Sequence, residues 1–404
     1  MNWKELKTIL CVRLDSEAGV IQSEPAIRAL KETNPGARIT LLAAPHAAEA
    51  ASLLPCVDEV LVYEAPWTRP TRIAVPNASG DVDSSETSRD QKMIDDIRAR
   101  KFDAAVIFTA YRHSALPAAL FAHLAGIPRR LAHCRDNPCR LLTEWAKEVE
   151  PEQTIRHEVR RQLELVGNVG CFTSDERIRL NLPERAHAHV EKVLLERAIE
   201  KNQPFVVVHP GKDVEDVERV ATTIREIHRE LGYPVLLLGR ETESFFLKQI
   251  QESAQKEGPV PCHSFGGKLS LAEQIALLSR SAFLVTGDRE TAQIAAAARA
   301  PVVDAHTIRR SGAAATQKIG PWQIPCRFAK DLEATEVVRA ATDLLHELGM
   351  RPRNSSPRQL VSDAMSSMVR KMQGLQKIRG ERLLQPTPVA SSVPPIGDSE
   401  PQLM

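Results

Sequence analysis

Ile9-Leu10-Cys11-Val12-Arg13, then Pro25-Ala26-Ile27-Arg28-Ala29-Leu30-Lys31-Glu32-Thr33, then Ile39-Thr40-Leu41-Leu42-Ala43: this opening run decides how the chain folds. Its first and third pieces are short apolar runs of strand length. The middle piece sets Ala26, Ile27, Ala29 and Leu30 at helical spacing behind a proline at a first-turn position. Asn34-Pro35-Gly36 then stops the helix. Two buried strands joined by a helix form a βαβ unit, and a helical crossover makes the strands parallel.

The same rhythm runs outward from this unit. Residues 47–54 read as a helix and 60–63 as a strand. Residues 64–91 shift to Pro, Ser, Thr, Asp and Gly and read as a long loop. A charged helix over 91–100, a strand over 104–108, helices over 114–125 and 157–166, a strand over 177–182 and a helix over 183–199 follow. From 205 the alternation restarts, with strands over 205–209, 234–238, 282–286 and 301–304 and helices over 214–231, 242–256, 271–279, 291–298 and 334–348. The expected architecture is α/β, with two Rossmann-like domains at 1–200 and 201–348. Residues 349–404 are expected to hold a basic amphipathic helix (Val361, Met365, Met368, Met372 and Leu375, with Arg370, Lys371 and Lys377) and a Pro/Ser-rich tail.

Composition narrows the function. Of 404 residues, 43% are hydrophobic and only 4% aromatic, so small aliphatic side chains fill the core, which suits α/β layers. Lys and Arg number 53 against 52 Asp and Glu, a balance that gives no global field for nucleic acid; none is expected as a partner. The cysteines number 7, an odd count, and are scattered, which suits a reduced, cytoplasmic protein. No apolar run approaches the roughly 20 residues that span a bilayer, so membrane contact is expected to be peripheral, through the basic tail on the anionic inner membrane surface. His133, Cys134 and Cys139 lack a fourth ligand at metal-site spacing, and no metal or cofactor is expected.

In doubly wound folds the ligand loops follow the carboxyl ends of the strands. The loop after Val12 carries no G-x-G-x-x-G, and Gly266-Gly267-Lys268 lacks the spacing of a phosphate loop. A collinear series of other motifs stands in those places. It comprises Arg13-Leu14, then Pro25 to Lys31, Pro35 to Leu42 and Val57-Asp58-Glu59-Val60. It continues with His209-Pro210-Gly211, Gly232 to Gly239, Gly267-Lys268-Leu269-Ser270-Leu271-Ala272-Glu273, Leu284-Val285-Thr286-Gly287-Asp288 and Pro301-Val302-Val303. Over residues 8–345 this series resembles the heptosyltransferase family of glycosyltransferases (glycosyltransferase family 9).

The resemblance implies a glycosyltransferase B fold and inverting transfer of a heptose-like sugar. The donor would be a nucleotide-diphosphate sugar held by the second domain, and the acceptor a lipopolysaccharide-type glycolipid held by the first. It implies donor contacts at Gly211, Lys212, Asp288, Arg289 and Thr291. Arg112, His113 and Ser114 are the candidate acceptor contacts. The family's basic aspartate falls in register on Gly19, so Asp15 and Glu17 are the candidate replacements for its carboxylate, and Gly19→Asp is the change expected to supply it. The family's phosphate turn is replaced by Asp288-Arg289-Glu290-Thr291, and the loop after Gly211 is acidic. Two competing readings follow from these departures: a non-catalytic relative that binds sugar nucleotide or serves as a scaffold, and a sugar-nucleotide epimerase on the same fold.

Overall fold

The computed structural model describes residues 3–68, 84–211, 214, 216–306 and 320–350. The elements described all belong to one compact unit, Met1–Arg353; a second unit, Asn354–Met404, lies outside the described residues and with it the expected basic helix and tail.

The first half builds a six-stranded sheet from β1 (Thr8–Arg13), β2 (Arg38–Ala43), β3 (Glu59–Val62), β4 (Ala104–Ile107), β5 (Arg129–Cys134) and β6 (Glu144–Lys147). The second builds another from β7 (Val206–His209), β8 (Val235–Leu237), β9 (Cys262–Ser264), β10 (Phe283–Thr286), β11 (Val302–Asp304) and β12 (Cys326–Phe328). The spatial orders are β3-β2-β1-β4-β5-β6 and β12-β11-β10-β7-β8-β9. Every pairing is parallel, from Ile9 against Ile39 to Val285 against Val208. Counted from its own first strand, each sheet has the Rossmann order 3-2-1-4-5-6. The fold is α/β, as expected.

The helices of the first half are α1 (Glu17–Gln22), α2 (Glu24–Thr33), α3 (Ala48–Ser52), α4 (Ser84–Ala99), α5 (Leu116–Leu124), α6 (Glu158–Gly167) and α7 (Glu184–Leu195). Those of the second are α8 (Val217–Leu231), α9 (Ser244–Gln255), α10 (Leu271–Leu278), α11 (Arg289–Ala298) and α12 (Ala334–Glu347). Three apolar layers hold them. Ile94, Ile97 and Phe102 cover one face of the first sheet, and Val220, Ile224 and Leu344 cover one face of the second. A third layer is continuous between the halves: Val20 and Ile21 of α1 and Ala50 of α3 join Ile275 of α10 and Ile294 and Ala295 of α11. Glu49 of α3 adds a polar tie, its carboxylate accepting Leu271 N–H at 3.2 Å and Ala272 N–H at 3.0 Å at the start of α10.

Three expectations need correction. The loop expected over 64–91 ends earlier, because α4 begins at Ser84; its polar first half has no apolar stripe to betray it, while Ile94 and Ile97 are buried farther along. Residues 177–182 do not form a strand. Ile178 is buried there, but Arg179 N–H goes to the Glu24 carboxylate and Asn181 N–H to Leu53 O, so the alternation reports a buried face and not a ladder. The stretch between Val12 and Pro25, expected as a loop, contains helix α1, capped by Ser16 Oγ on Gly19 N–H. The last helix packs on α8 of the second half. No described helix is long and apolar enough to cross a membrane.

The Glu49 cap yields an expected outcome: Glu49→Ala uncovers the first N–H groups of α10 and lowers stability by about 1 kcal/mol, read from urea unfolding of the purified protein.

Candidate functional site

In each sheet the first and fourth strands lie side by side while their helical connections leave in opposite directions. The crevice between their carboxyl ends is the place where this topology admits a ligand. In the first sheet it is bounded by the loops after β1 and β4, in the second by those after β7 and β10.

At the first switch point, Arg13 ends β1 with 2% of its surface exposed. Its Nε donates to Asp15 Oδ1 at 2.6 Å and its Nη1 to Glu158 Oε1 at 2.9 Å. Burial opposes the guanidinium charge, but the two carboxylates outweigh it and hold the Arg13 pKa above its ordinary value. Ser16 N–H also binds Asp15 Oδ1, at 2.9 Å. Both bonds fall on one oxygen of Asp15.

The pair explains Gly19. A Cβ at position 19 would stand 2.5 Å from Asp15 Oδ1 and 2.7 Å from Arg13 Nη2, so a carboxylate already fills the space that a side chain there would enter. The carboxyl of a Gly19→Asp variant would have to shift the far ends of the Arg13 and Asp15 side chains, which form a buried ion pair. Glu17, one residue into α1, is half-buried; burial first, then the Glu290 and Glu49 carboxylates, raise its pKa against the opposing charges of Arg240 and His46. Glu24, also acidic and near, is committed to Arg28 at 2.9 Å.

Arg112, His113 and Ser114 lie in the exposed turn between β4 and α5. With Asp15, Trp67 and Phe108 they line a cavity of about 540 Å³. Arg112 donates Nε to the Tyr111 hydroxyl at 2.7 Å, and Ser114 Oγ accepts Leu116 N–H at 3.2 Å. The helix starts at Leu116, two residues beyond the expected start at Ser114.

At the second switch point, Gly211 has φ +90°, and a Cβ there would meet the Gly287 carbonyl at 3.1–3.2 Å; the loops after β7 and β10 touch at this residue. Lys212 lies outside the described residues. Asp288 and Thr291 are brought together as a helix cap: Asp288 Oδ2 accepts Thr291 N–H and Thr291 Oγ1–H, each at 2.8 Å. Burial pulls against the Asp288 charge, but the Thr291 bonds and nearby His209 hold its pKa below the ordinary value. Arg289 Nε donates to His306 Nε2 at 2.9 Å, which places the His306 proton on Nδ1, bonded to Gly287 O at 3.0 Å.

The residues around a cavity of about 490 Å³ here include some that sequence reasoning did not single out: His209, Arg240 and His306. Arg240 and His306 follow β8 and β11, so reading the loop after every strand, not only after the first and fourth, was a signal that would have found them. His209 is buried at the end of β7 with no partner for Nδ1, and burial holds its pKa low although Asp288 and Glu243 are close. Glu158, the other unforeseen residue, sits 145 positions from Arg13; nothing local in the sequence signals that pairing.

The two switch points open on one cleft. A cavity of about 440 Å³ is bounded by Arg13, Asp15 and Gly19 from the first half and Arg289, Glu290 and Gln293 from the second. Among the described residues no cluster of three or more His, Cys, Asp or Glu is arranged to hold a metal ion. His133 is instead bonded through Nε2 to Arg161 O.

No known family profile and no curated protein sequence matches the chain. Solved structures do. A glycosyl transferase family 9 protein from Veillonella parvula superposes with TM-score 0.69 at 17% identity, covering 85% of this chain and 98% of that one. Escherichia coli ADP-heptose lps heptosyltransferase II gives TM-score 0.64 at 17% identity over 85% and 99%. An E. coli heptosyltransferase solved with ADP-2-deoxy-2-fluoro heptose gives 0.59 at 15% over 84% and 99%. The chain has the two-sheet glycosyltransferase B fold of these structures.

Two outcomes follow from the first switch point. In an ordinary helix Gly→Ala gains up to about 1 kcal/mol; Gly19→Ala is expected to lose about 1–3 kcal/mol, because the new methyl meets Arg13 and Asp15, and a denaturant melt reads the sign. Glu17 has a folded pKa above the ordinary 4.5, so its contribution is most favourable below that value and declines as pH rises through the raised one. Glu17→Gln is therefore expected to be more stable than the parent at about pH 8 and to converge with it at about pH 4, compared by urea midpoints.

Proposed function

We propose that the chain is a glycosyltransferase that moves a sugar from a nucleoside diphosphate to a hydroxyl of a glycan acceptor. One observation carries the reading: the two Rossmann switch points share a cleft, with the Asp15 carboxylate on one wall and Arg289 at the start of α11 on the other. Transfer with inversion needs this polarity, a base for the acceptor hydroxyl and positive charge for the departing diphosphate.

In the proposed reaction the acceptor enters the cavity between Asp15, Trp67, Phe108 and Arg112. Arg13 and Ser16 hold Asp15 through Oδ1, leaving Oδ2 to take the hydroxyl proton. The acceptor oxygen attacks the anomeric carbon as the bond to the diphosphate oxygen breaks. The leaving charge is met by Arg289, by the backbone beside Gly211 and by Lys212. Asp288, with both Thr291 bonds made, shapes the turn and contacts the donor sugar. Arg112, His113 and Ser114 line the acceptor side. Heptose on ADP is the first donor to test, because the two E. coli neighbours carry ADP-heptose chemistry in their descriptions; a glycolipid acceptor at the anionic inner membrane surface is part of the same reading.

The experiment is a panel of ADP- and UDP-sugars with and without glycolipid acceptor, followed by nucleoside diphosphate release. Acceptor-dependent release is expected, and Asp15→Asn should reduce it by about 10²–10⁴-fold while leaving donor binding in place. Donor binding with no release from any pair would point to a non-catalytic binding protein, and an isomerised sugar from donor alone, seen by NMR, to an epimerase. Either result overturns the transferase reading.

A further inference from the structure

Arg289 and Arg240 stand on the same cavity in different electrostatic states. The only partner of Arg289 across its Nε is a neutral imidazole, His306, and no carboxylate lies within ion-pairing distance of it among the described residues. Arg240, on the loop after β8, instead reaches 50 residues along the chain to Glu290, Nη2 to Oε2 at 2.9 Å. Its position is set independently by its own backbone, whose N–H donates to Glu243 Oε2 at 2.8 Å. The Arg240–Glu290 pair is therefore a contact between the loop after β8 and the first turn of α11, made at the surface of the cavity, with side-chain exposures of 64% and 43%.

Such a pair is held weakly. An exposed Arg–Glu contact is screened by water and contributes little, whereas guanidinium binds phosphate oxygens through two parallel, charge-assisted bonds. Glu290 also has a reason to leave. Glu17, across the cleft, lies close enough for the two carboxylates to repel. An acid next to Arg289 at a phosphate site looks out of place in sequence; in the structure its charge is matched by Arg240.

We propose that Glu290 is an internal counter-anion that occupies Arg240 in the empty protein and yields to the diphosphate of a sugar nucleotide, making Arg240 a second phosphate-binding residue. The inference rests on the donor pocket proposed above. Glu290 competes with the ligand on entry and recaptures Arg240 as the nucleoside diphosphate leaves. It lowers affinity and shortens the life of the product complex.

The test is calorimetric titration of the full chain with ADP, UDP and inorganic pyrophosphate. Glu290→Gln is expected to tighten binding of whichever anions the parent binds by about two- to five-fold, and Arg240→Gln to weaken it by a similar factor. In the double variant the Glu290→Gln gain should vanish, since the acid acts through Arg240. Adenosine, which has no charge to compete for Arg240, should bind the parent and Glu290→Gln alike. Equal or weaker anion binding by Glu290→Gln, or a gain that persists without Arg240, overturns the proposal while leaving the donor pocket standing. No anion binding by any variant overturns the pocket and the counter-anion together. Thermal midpoints of the variants confirm that each is folded.

Discussion

The Arg13 guanidinium is the point on which the first switch point depends. It is one member of a buried chain of charges: Asp15 to Arg13 at 2.6 Å, Arg13 to Glu158 at 2.9 Å, Glu158 to Arg161 at 3.7 Å, then Arg161 to Glu148, Glu148 to Arg156 at 3.2 Å and Arg156 to Glu150 at 2.8 Å. Removing these groups from water is costly, and each is tolerable only because its neighbour is in place. Loss of one member leaves the next charge buried and unmatched. The chain ties β1, α6 and the segment after β6 into one rigid wall. Its Arg13 and Asp15 side chains also crowd position 19.

The wall faces its counterpart because of an apolar layer and not because of these charges. Val20 and Ile21, on the same short helix as Gly19, are wholly buried against the layer that includes Ile294 and Ala295 of α11. Helix α11 begins at Arg289, so the packing that holds the halves together also sets Arg289 and Glu290 opposite Asp15. Burial of a few aliphatic side chains, each contributing roughly 1.5–3 kcal/mol, decides where the charged groups meet.

Charge in the cleft is local. The chain as a whole carries a formal +1, yet Glu17, Glu49 and Glu290 crowd one region and are offset by Arg240 and His46. Burial first, and then that crowding, raise the Glu17 pKa.

Much of this was legible in residue order. Ile9 to Ala43 specified a βαβ unit, the restart at Phe205 specified a second, and the apolar central strands were visible because strands covered on both faces read as continuous apolar runs. Strands β6, β9 and β12 went unread: they are edge strands of three or four residues, with one neighbour each and little apolar content. Strand β5, opening on Arg129 and Arg130, was hidden by side chains whose charge is answered elsewhere, Arg130 Nε by Leu141 O. Asp15, Asp288 and Arg289 became candidates through the resemblance to the heptosyltransferase family, on the loops that follow β1 and β10. That Arg13 is paired with Glu158 and Glu290 with Arg240 was decided by the tertiary structure alone. Local order in a sequence reports which residues a strand or helix will bury; which charges then face one another depends on contacts between elements 50 to 145 residues apart, and no local pattern encodes those.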